Sequence, residues 1–441
     1  MSFLRPHFDA LSALRNFLAD PRFASALTVT AVGTAVCAQL LQNLIGWAGL
    51  IAIVVTLVAL SSGALLARQA ELEWQGLLPV SLMVFVGLAA ISVLWSEYQW
   101  ASLGGIAYLV AFTILGVSIA LTRDTIQIVR AFGDVFRVVL AVSIGVEILS
   151  GLLIDTPIEF LGVEANLGQL GPIQGIMGSR NQLGLVALLA LITFGTEFAT
   201  KSVSRRIAIS SLVLASGSVL LSRSPVILAV LVVVASAAGA LAILRQVKPE
   251  RRRIWQLGIL AATIVVAIVS WLARSRIISL FSANSDLSYR LNLWRGVFDL
   301  IARNPLEGWG WVGYWRPDVQ PFPVFAIAGQ REPTSALNAY LDVWFQLGLI
   351  GILVFIGLVI LTFTRSWLLA GQKRSLVFAW PALVLVALLV TSLAESSILV
   401  EYGWLTFVVC CVKAARELSW RRAFANSDEP GEPLTPPAVR L

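Results

Sequence analysis

The chain has 441 residues, of which 58% are hydrophobic and 13% charged. A soluble domain is nearer half apolar and a quarter charged, so this composition excludes an ordinary soluble enzyme or binding module. The net charge of +7 would suggest nucleic acid in a soluble protein; here it is assigned to loops on the cytoplasmic side of a membrane, with no nucleic-acid partner expected.

In chain order, residues 1–23 carry Arg5, Arg15 and Arg22 and read as a cytoplasmic segment ahead of a signal anchor. Apolar runs follow near 24–44, 47–67, 77–95, 100–121, 134–154, 181–199, 206–222, 224–244, 254–273, 338–364, 376–394 and 398–415. Runs of about 18 apolar residues or more match a helix crossing the hydrocarbon, and helices satisfy their own backbone groups there. The fold class is therefore an all-α integral membrane bundle of about twelve spans, with spans one to nine in 24–273 and spans ten to twelve in 338–415. An even number of spans puts both termini on one side.

Charge indicates which side. Arg68, Arg123, Arg130, Lys201, Arg205 and Arg206 fall in one set of loops, as do Arg245, Lys248, Arg251 to Arg253, Arg365, Lys373 and Arg374, whereas Glu97, Asp155, Glu159 and Glu164 fall in the other. That positive-inside bias places both termini in the cytoplasm, including the tail 416–441, whose end (SDEPGEPLTPPAVRL) has the composition of a disordered segment. Residues 274–337 then form one large extracytoplasmic loop between spans nine and ten. Within it, Leu291, Trp294, Val297, Phe298 and Ile301 recur at helical spacing, which predicts an amphipathic surface helix. Pro305, Gly308, Gly310, Gly313 and the PDVQPFP strip predict irregular loop after it.

Glu147 is the ionisable residue deepest in a span, read equally as a functional acid or as one facing a polar seam. The other unusual charges are arginines on the side where the positive-inside rule disfavours them: Arg180 in GSRNQLG, Arg223 in LLSRSPV, Arg290 and Arg295 on the surface helix, and Arg303, Arg316 and Arg331 beyond it. A planar guanidinium matches phosphate oxygens and stays charged at any working pH, so Arg223 and Arg290 are favoured as ligands of a lipid diphosphate. Snorkelling to headgroups suits Arg274 and Arg276 better. Trp309 and Trp311 of GWGWVGYW offer faces for stacking on sugars, though tryptophan also populates membrane interfaces. No metal site is expected, because the only histidine is His7 and no carboxylates have ligand spacing. No nucleotide or cofactor motif occurs.

Taken together, SVLWSEYQWASL, GIMGSRNQLGLVALLAL, LLSRSPVILAV, YRLNLWRGVFDLIARNPLEGWGW and ALNAYLDVWFQLGLIG resemble, in order and spacing, the O-antigen ligase and Wzy-type polysaccharide polymerase superfamily, in its exopolysaccharide polymerase-like branch. The resemblance implies a GT-C-like, metal-independent, cofactor-free glycosyltransferase in a bacterial plasma (inner) membrane. It would take an undecaprenyl-diphosphate-linked glycan donor and a glycan acceptor at the outer face, among membrane lipids, with a flippase and a chain-length regulator as the protein partners suggested. Carried onto this chain, Arg223 and Arg290 would hold the donor diphosphate, Arg180 and Asn181 would line the same cavity, and Arg295 and Asn338 would join the substrate site. Ligases of this superfamily commonly carry a histidine just before the asparagine of the last motif; this chain has Leu337 before Asn338. With that base missing, Glu332, Asp342 and Glu395 are the carboxylates that could replace it, although for Asp342 a helix cap or a pairing with an arginine is favoured over catalysis. The missing histidine favours a polymerase over a ligase. A lipid-linked sugar transporter is the alternative of another class.

Overall fold

The computed structural model describes residues 5–69, 79–272, 284–325 and 333–417. The expectations placed on Arg274, Arg276, Arg331, Glu332 and the tail beyond 417 lie outside them. Regular structure among the described residues is helical: α1 (Arg5–Ala19), α2 (Pro21–Val36), α3 (Ala38–Ala67), α4 (Val80–Ile91), α5 (Gln99–Thr122), α6 (Thr125–Ile148), α7 (Arg180–Thr200), α8 (Arg205–Ser222), α9 (Pro225–Gln246), α10 (Arg252–Leu272), α11 (Asn284–Ile301), α12 (Ala339–Gln372), α13 (Ala379–Thr391) and α14 (Glu401–Glu417).

Among the described residues seven helices are long and apolar enough to cross a membrane: Ala38–Ala67, Gln99–Thr122, Thr125–Ile154, Arg180–Thr200, Arg205–Ser222, Pro225–Gln246 and Ala339–Gln372. Two shorter apolar helices, Val80–Leu94 and Leu376–Thr391, join them. This supports a multi-pass helical membrane protein without fixing a count of twelve. Several expected spans are short or interrupted: α2 stops at Val36 and α14 has 17 residues.

Two apparent long helices are each a pair. In α3, Gly46 leaves the helical region at φ 72°. The Arg68 guanidinium donates to the Ala19 carbonyl at 2.7 Å, so the chain that leaves Ala19 has returned by Arg68 and reverses between α2 and the second half of α3. In α12, Gly348 at φ 65° separates a short leading helix from the long apolar one. The sequence pattern signals neither break strongly, because apolar residues continue through both.

Capping explains why the other helices start where they do. The Ser179, Ser204 and Ser224 hydroxyls each accept a backbone N–H from the first turn of α7, α8 and α9. Pro225 at the first turn of α9 gives up no bond, since its N–H would be unsatisfied there. Asn338 does the same for α12, accepting from Tyr340 and Leu341.

The core lies along α7 and α14. The best apolar window of α7 is 72% buried, against 22% for α9, whose remaining faces are left for lipid. Every residue of α14 from Glu401 to Ala414 is buried. Trp380 and Trp404 are two of the largest side chains in that core, and their indole N–H groups donate to Thr193 at 3.0 Å and Thr113 at 2.8 Å.

The two ends of the bundle differ in charge. At one end Arg123 reaches the Pro21 carbonyl, Lys413 the Arg123 carbonyl and Arg245 the Ala370 carbonyl, while Lys373 pairs with Glu417. Lys413 and Arg245 thereby satisfy carbonyls at the C-terminal ends of α5 and α12. At the opposite end, α7, α9, α12 and α14 all begin, and α11 with the loop after it packs over them.

That loop has a core of its own. Leu293, Val297, Leu300 and Ile301 of α11 pack with Val312, Trp315, Val319, Phe322, Phe325, Leu341 and Phe345. The buried stripe is therefore rotated from the expected one: Leu291 and Phe298 are exposed, at 40% and 49%, and Leu293 and Leu300 take their place. The helix is amphipathic, but it buries its face against its own loop.

Candidate functional site

The end of the bundle that bears the loop encloses a cavity of about 460 Å³. Its walls include Asn181 and Gln182 from α7, Arg290 from α11, Tyr314 from the loop, Leu337 and Asp342 at the start of α12, Glu395 after α13, and Glu401 and Tyr402 from α14. That volume lies within the range of small-molecule sites, roughly 300–1,000 Å³.

Arg290 crosses one wall. One nitrogen donates to the carbonyls of Leu337, at 3.1 Å, and Ala394; the other reaches Glu395 Oε1 at 3.0 Å. The same Glu395 oxygen accepts from Asn181 Nδ2 at 2.6 Å, and Asn181 Oδ1 accepts from Ser224 Oγ at 2.7 Å. One polar chain thus links α11, the turn after α13, the start of α7 and the start of α9. The GSRNQLG and LLSRSPV motifs meet here because each places a cap serine and a neighbouring polar residue at a helix start on the same end.

Asp342 is buried and is one of the residues lining the cavity. Its Oδ1 accepts from Trp315 Nε1 at 2.8 Å and Gln346 Nε2 at 3.0 Å, and its Oδ2 from the Ala336 N–H at 3.2 Å. Gln346, one turn on, accepts the Val312 and Gly313 N–H groups at 2.8 and 3.0 Å. The pair fastens the loop to α12 by its backbone. Backbone bonds from Trp309 to Phe345 and from Gly310 to Gln346 extend the seam, and those from Leu349 to Pro305 and Ile350 to Leu306 continue it past the Gly348 break.

The expected site residues therefore divide. Arg290, Asn181, Asp342 and Glu395 come together at the cavity. Arg223 is exposed and caps α8 in the left-handed region, at φ 45°; its chain neighbour Ser224, rather than its own guanidinium, joins the polar chain. Arg180 opens α7 beside Asn181 but is not part of the wall. Arg295 is exposed and bonds Asn292 at 3.0 Å on its own helix. Asn338 spends its carbonyl oxygen capping α12. Trp309 donates to the Leu300 carbonyl at 3.1 Å. Trp311 is 1% exposed, edge-on to Phe85, with its backbone N–H on Ser92 Oγ at 2.9 Å. Neither tryptophan is among the residues lining the cavity; Trp309 packs on α11 and Phe345, and Trp311 on the segment that begins at Ser92. Glu147 accepts the Gln174 and Gly175 N–H groups, both at 2.8 Å, and so pins the segment leading into α7.

Glu401 was not among the expected site residues. It is 8% exposed at the start of α14, where it accepts Tyr108 Oη at 2.9 Å and Tyr314 Oη at 3.0 Å. Burial pushes the Tyr314 phenol well above its ordinary value, and the neighbouring carboxylate adds to the shift. A clue was present in LVEYGW, an acid set among apolar residues at a span boundary. Among the described residues no three His, Cys, Asp or Glu side chains gather as a metal site requires.

Residues 210–356 match the family model described as O-antigen ligase. These residues are similar to the O-antigen ligase family's domain. The match covers about a third of the chain, from α8 through the loop to the middle of α12, and so includes Arg223, Arg290, Leu337 and Asp342. Asn181, Glu395 and Glu401 complete the cavity from outside the matched segment. No curated protein matches the chain. The family and the apolar helices together support a membrane protein of the glycan ligase or polymerase type.

Proposed function

We propose that this protein is a membrane polysaccharide polymerase, extending an undecaprenyl-diphosphate-linked glycan by transfer onto the next lipid-linked repeat unit at the outer face of a bacterial plasma membrane. The observation that carries the reading is the cavity itself: it lies at the end of the bundle opposite the basic cluster, walled by Arg290 within the O-antigen ligase domain. The positive-inside rule puts the basic end in the cytoplasm and the cavity outside, with both termini inside.

In this reading the donor diphosphate approaches the Arg290 wall, and a guanidinium fixed in advance by two carbonyls and Glu395 stabilises the charge that grows as the diphosphate leaves. Asn181, held between Glu395 and Ser224, orients a sugar hydroxyl or a phosphate oxygen beside it. Arg223, exposed at the neighbouring turn, meets the lipid diphosphate at the membrane surface before it reaches the cavity. The flippase that supplies the donor and a regulator of chain length are the protein partners this activity calls for.

The polymerase reading rests further on Leu337. It lines the cavity at the position where ligases of the superfamily carry a histidine. The family's description favours the second reading, a ligase transferring finished glycan to a lipid or cell-wall acceptor. Deletion followed by glycan sizing separates them. Accumulated single repeats support the polymerase, and free polymer lacking its acceptor supports the ligase. Loss of the polymer, with lipid-linked precursor trapped on the cytoplasmic side, points to a transporter and overturns both.

A further inference from the structure

Three carboxylates line the cavity within the described residues: Asp342, Glu395 and Glu401. Their partners separate their chemistry. Asp342 holds an indole, an amide and a backbone N–H, and releasing any of them would loosen the loop from α12. Glu395 is neutralised by Arg290 and bonded by Asn181. Glu401 accepts only hydroxyls, one on each oxygen, and forms no ion pair among the described residues. A hydroxyl can rotate its proton toward another acceptor, or be displaced by another hydroxyl, without leaving a backbone donor or a cation stranded.

The backbone holds Glu401 at this spot under strain. Its φ is 42°, the left-handed region, where a side chain other than that of glycine or asparagine is uncommon. Two residues on, Gly403 lies so close to the Ser397 and Ile398 backbone that a Cβ would not fit. The turn from Ser397 to Gly403 is thus compressed backbone on backbone, and the residue it delivers to the wall is an acid. Sparsely populated backbone conformations recur at active sites, and this one delivers its side chain to the cavity wall.

We infer that Glu401 is the general base of the transfer. The inference rests on reading the cavity as a glycosyl-transfer site. The acceptor's sugar hydroxyl takes the place of a tyrosine hydroxyl on Glu401. As its oxygen bonds to the anomeric carbon of the donor, its proton passes to the Glu401 carboxylate. The bond from that carbon to the diphosphate oxygen breaks, and the electron pair leaves with the undecaprenyl diphosphate. Glu401 returns its proton to water when the product moves on. This supplies the function that the absent histidine would have had, from another helix and outside the matched family segment.

The test uses the full chain in the deletion strain, reading the rate at which polymer forms in isolated membranes where lipid-linked repeat units have accumulated, with undecaprenyl diphosphate binding measured on the purified protein. Glu401→Gln keeps the shape and can bond both tyrosines, one of them by donating its amide to the phenol oxygen, but cannot take the proton. It should lower the rate about 100-fold or more, the usual worth of a general base, and leave undecaprenyl diphosphate binding within about threefold of wild type. Glu401→Asp and Glu401→Asn, matched to each other in size, repeat the comparison: the aspartate protein should retain the higher rate by at least about tenfold. A glutamine protein as active as wild type, an equal loss of binding and rate, or an asparagine protein equal to the aspartate one overturns the assignment. If wild type itself restores no polymer, the glycosyl-transfer reading falls instead.

Discussion

At the residue scale, the site is organised by side chains that each serve several partners on different segments. The Arg290 guanidinium serves two carbonyls on different segments and a carboxylate, which a single ammonium cannot do with the same geometry. Arg290→Lys is therefore expected to lower polymer formation by at least about tenfold despite keeping the charge, whereas Arg15→Lys, far off at the basic end, should leave it unchanged. Rates in isolated membranes decide this, and equal activity of the two variants would remove Arg290 from the site. Asp342 has a structural share in the same wall. Asp342→Ala leaves the Trp315, Ala336 and Gln346 donors without their partner, each costing about 1–3 kcal/mol, so its melting temperature in detergent should fall well below that of Asp342→Asn, which keeps one acceptor oxygen.

At the element scale, the seam between the loop and α12 depends on a break in the helix. A Cβ on Gly348 would collide with the backbone of Leu306 and Glu307, and its φ of 65° is strained for any other residue. Gly357, further along the same helix, has open space around it. Gly348→Ala should therefore lower the thermal stability of the purified protein, with Gly357→Ala near wild type; equal melting temperatures would mean that the seam is not under this constraint. Glu147 has a comparable role on α6. Replacing it with Ala frees the Gln174 and Gly175 N–H groups, so amide exchange in residues 171–178 should quicken while the interior of α7 stays protected.

At the scale of the whole molecule, the asymmetry of the two ends carries the orientation. A fluorescent reporter fused after Asn426 should be active in the cytoplasm, and one that reports from outside the cell would reverse the topology and place the cavity on the wrong face for the proposed chemistry. Much of this architecture was legible in the sequence. Long apolar runs become helices because membrane hydrocarbon offers a backbone no other partner, and basic residues collect at one end by the positive-inside bias. Serine and asparagine caps mark helix starts for the same local reason.

What the sequence alone determined is what depends on neighbours in the chain: the helical class, most helix boundaries and the basic end, while Asn181, Arg290, Asp342 and Glu395 were only candidates among others. Only the tertiary structure decided which of these share a cavity. It also separated Arg223, which caps a helix in the open, from Ser224, which joins the polar chain, and it moved the buried stripe of α11 onto the loop. Trp309 and Trp311 look like sugar platforms in a string of letters and become packing once α11 is folded against the first and SVLWSEYQW against the second. Glu401 is the clearest case, since its meaning depends on Tyr108, which lies 293 positions away, and Tyr314, which lies 87 away. A one-dimensional pattern records local preference; a site is a set of distances between segments, and those exist only after the helices have packed.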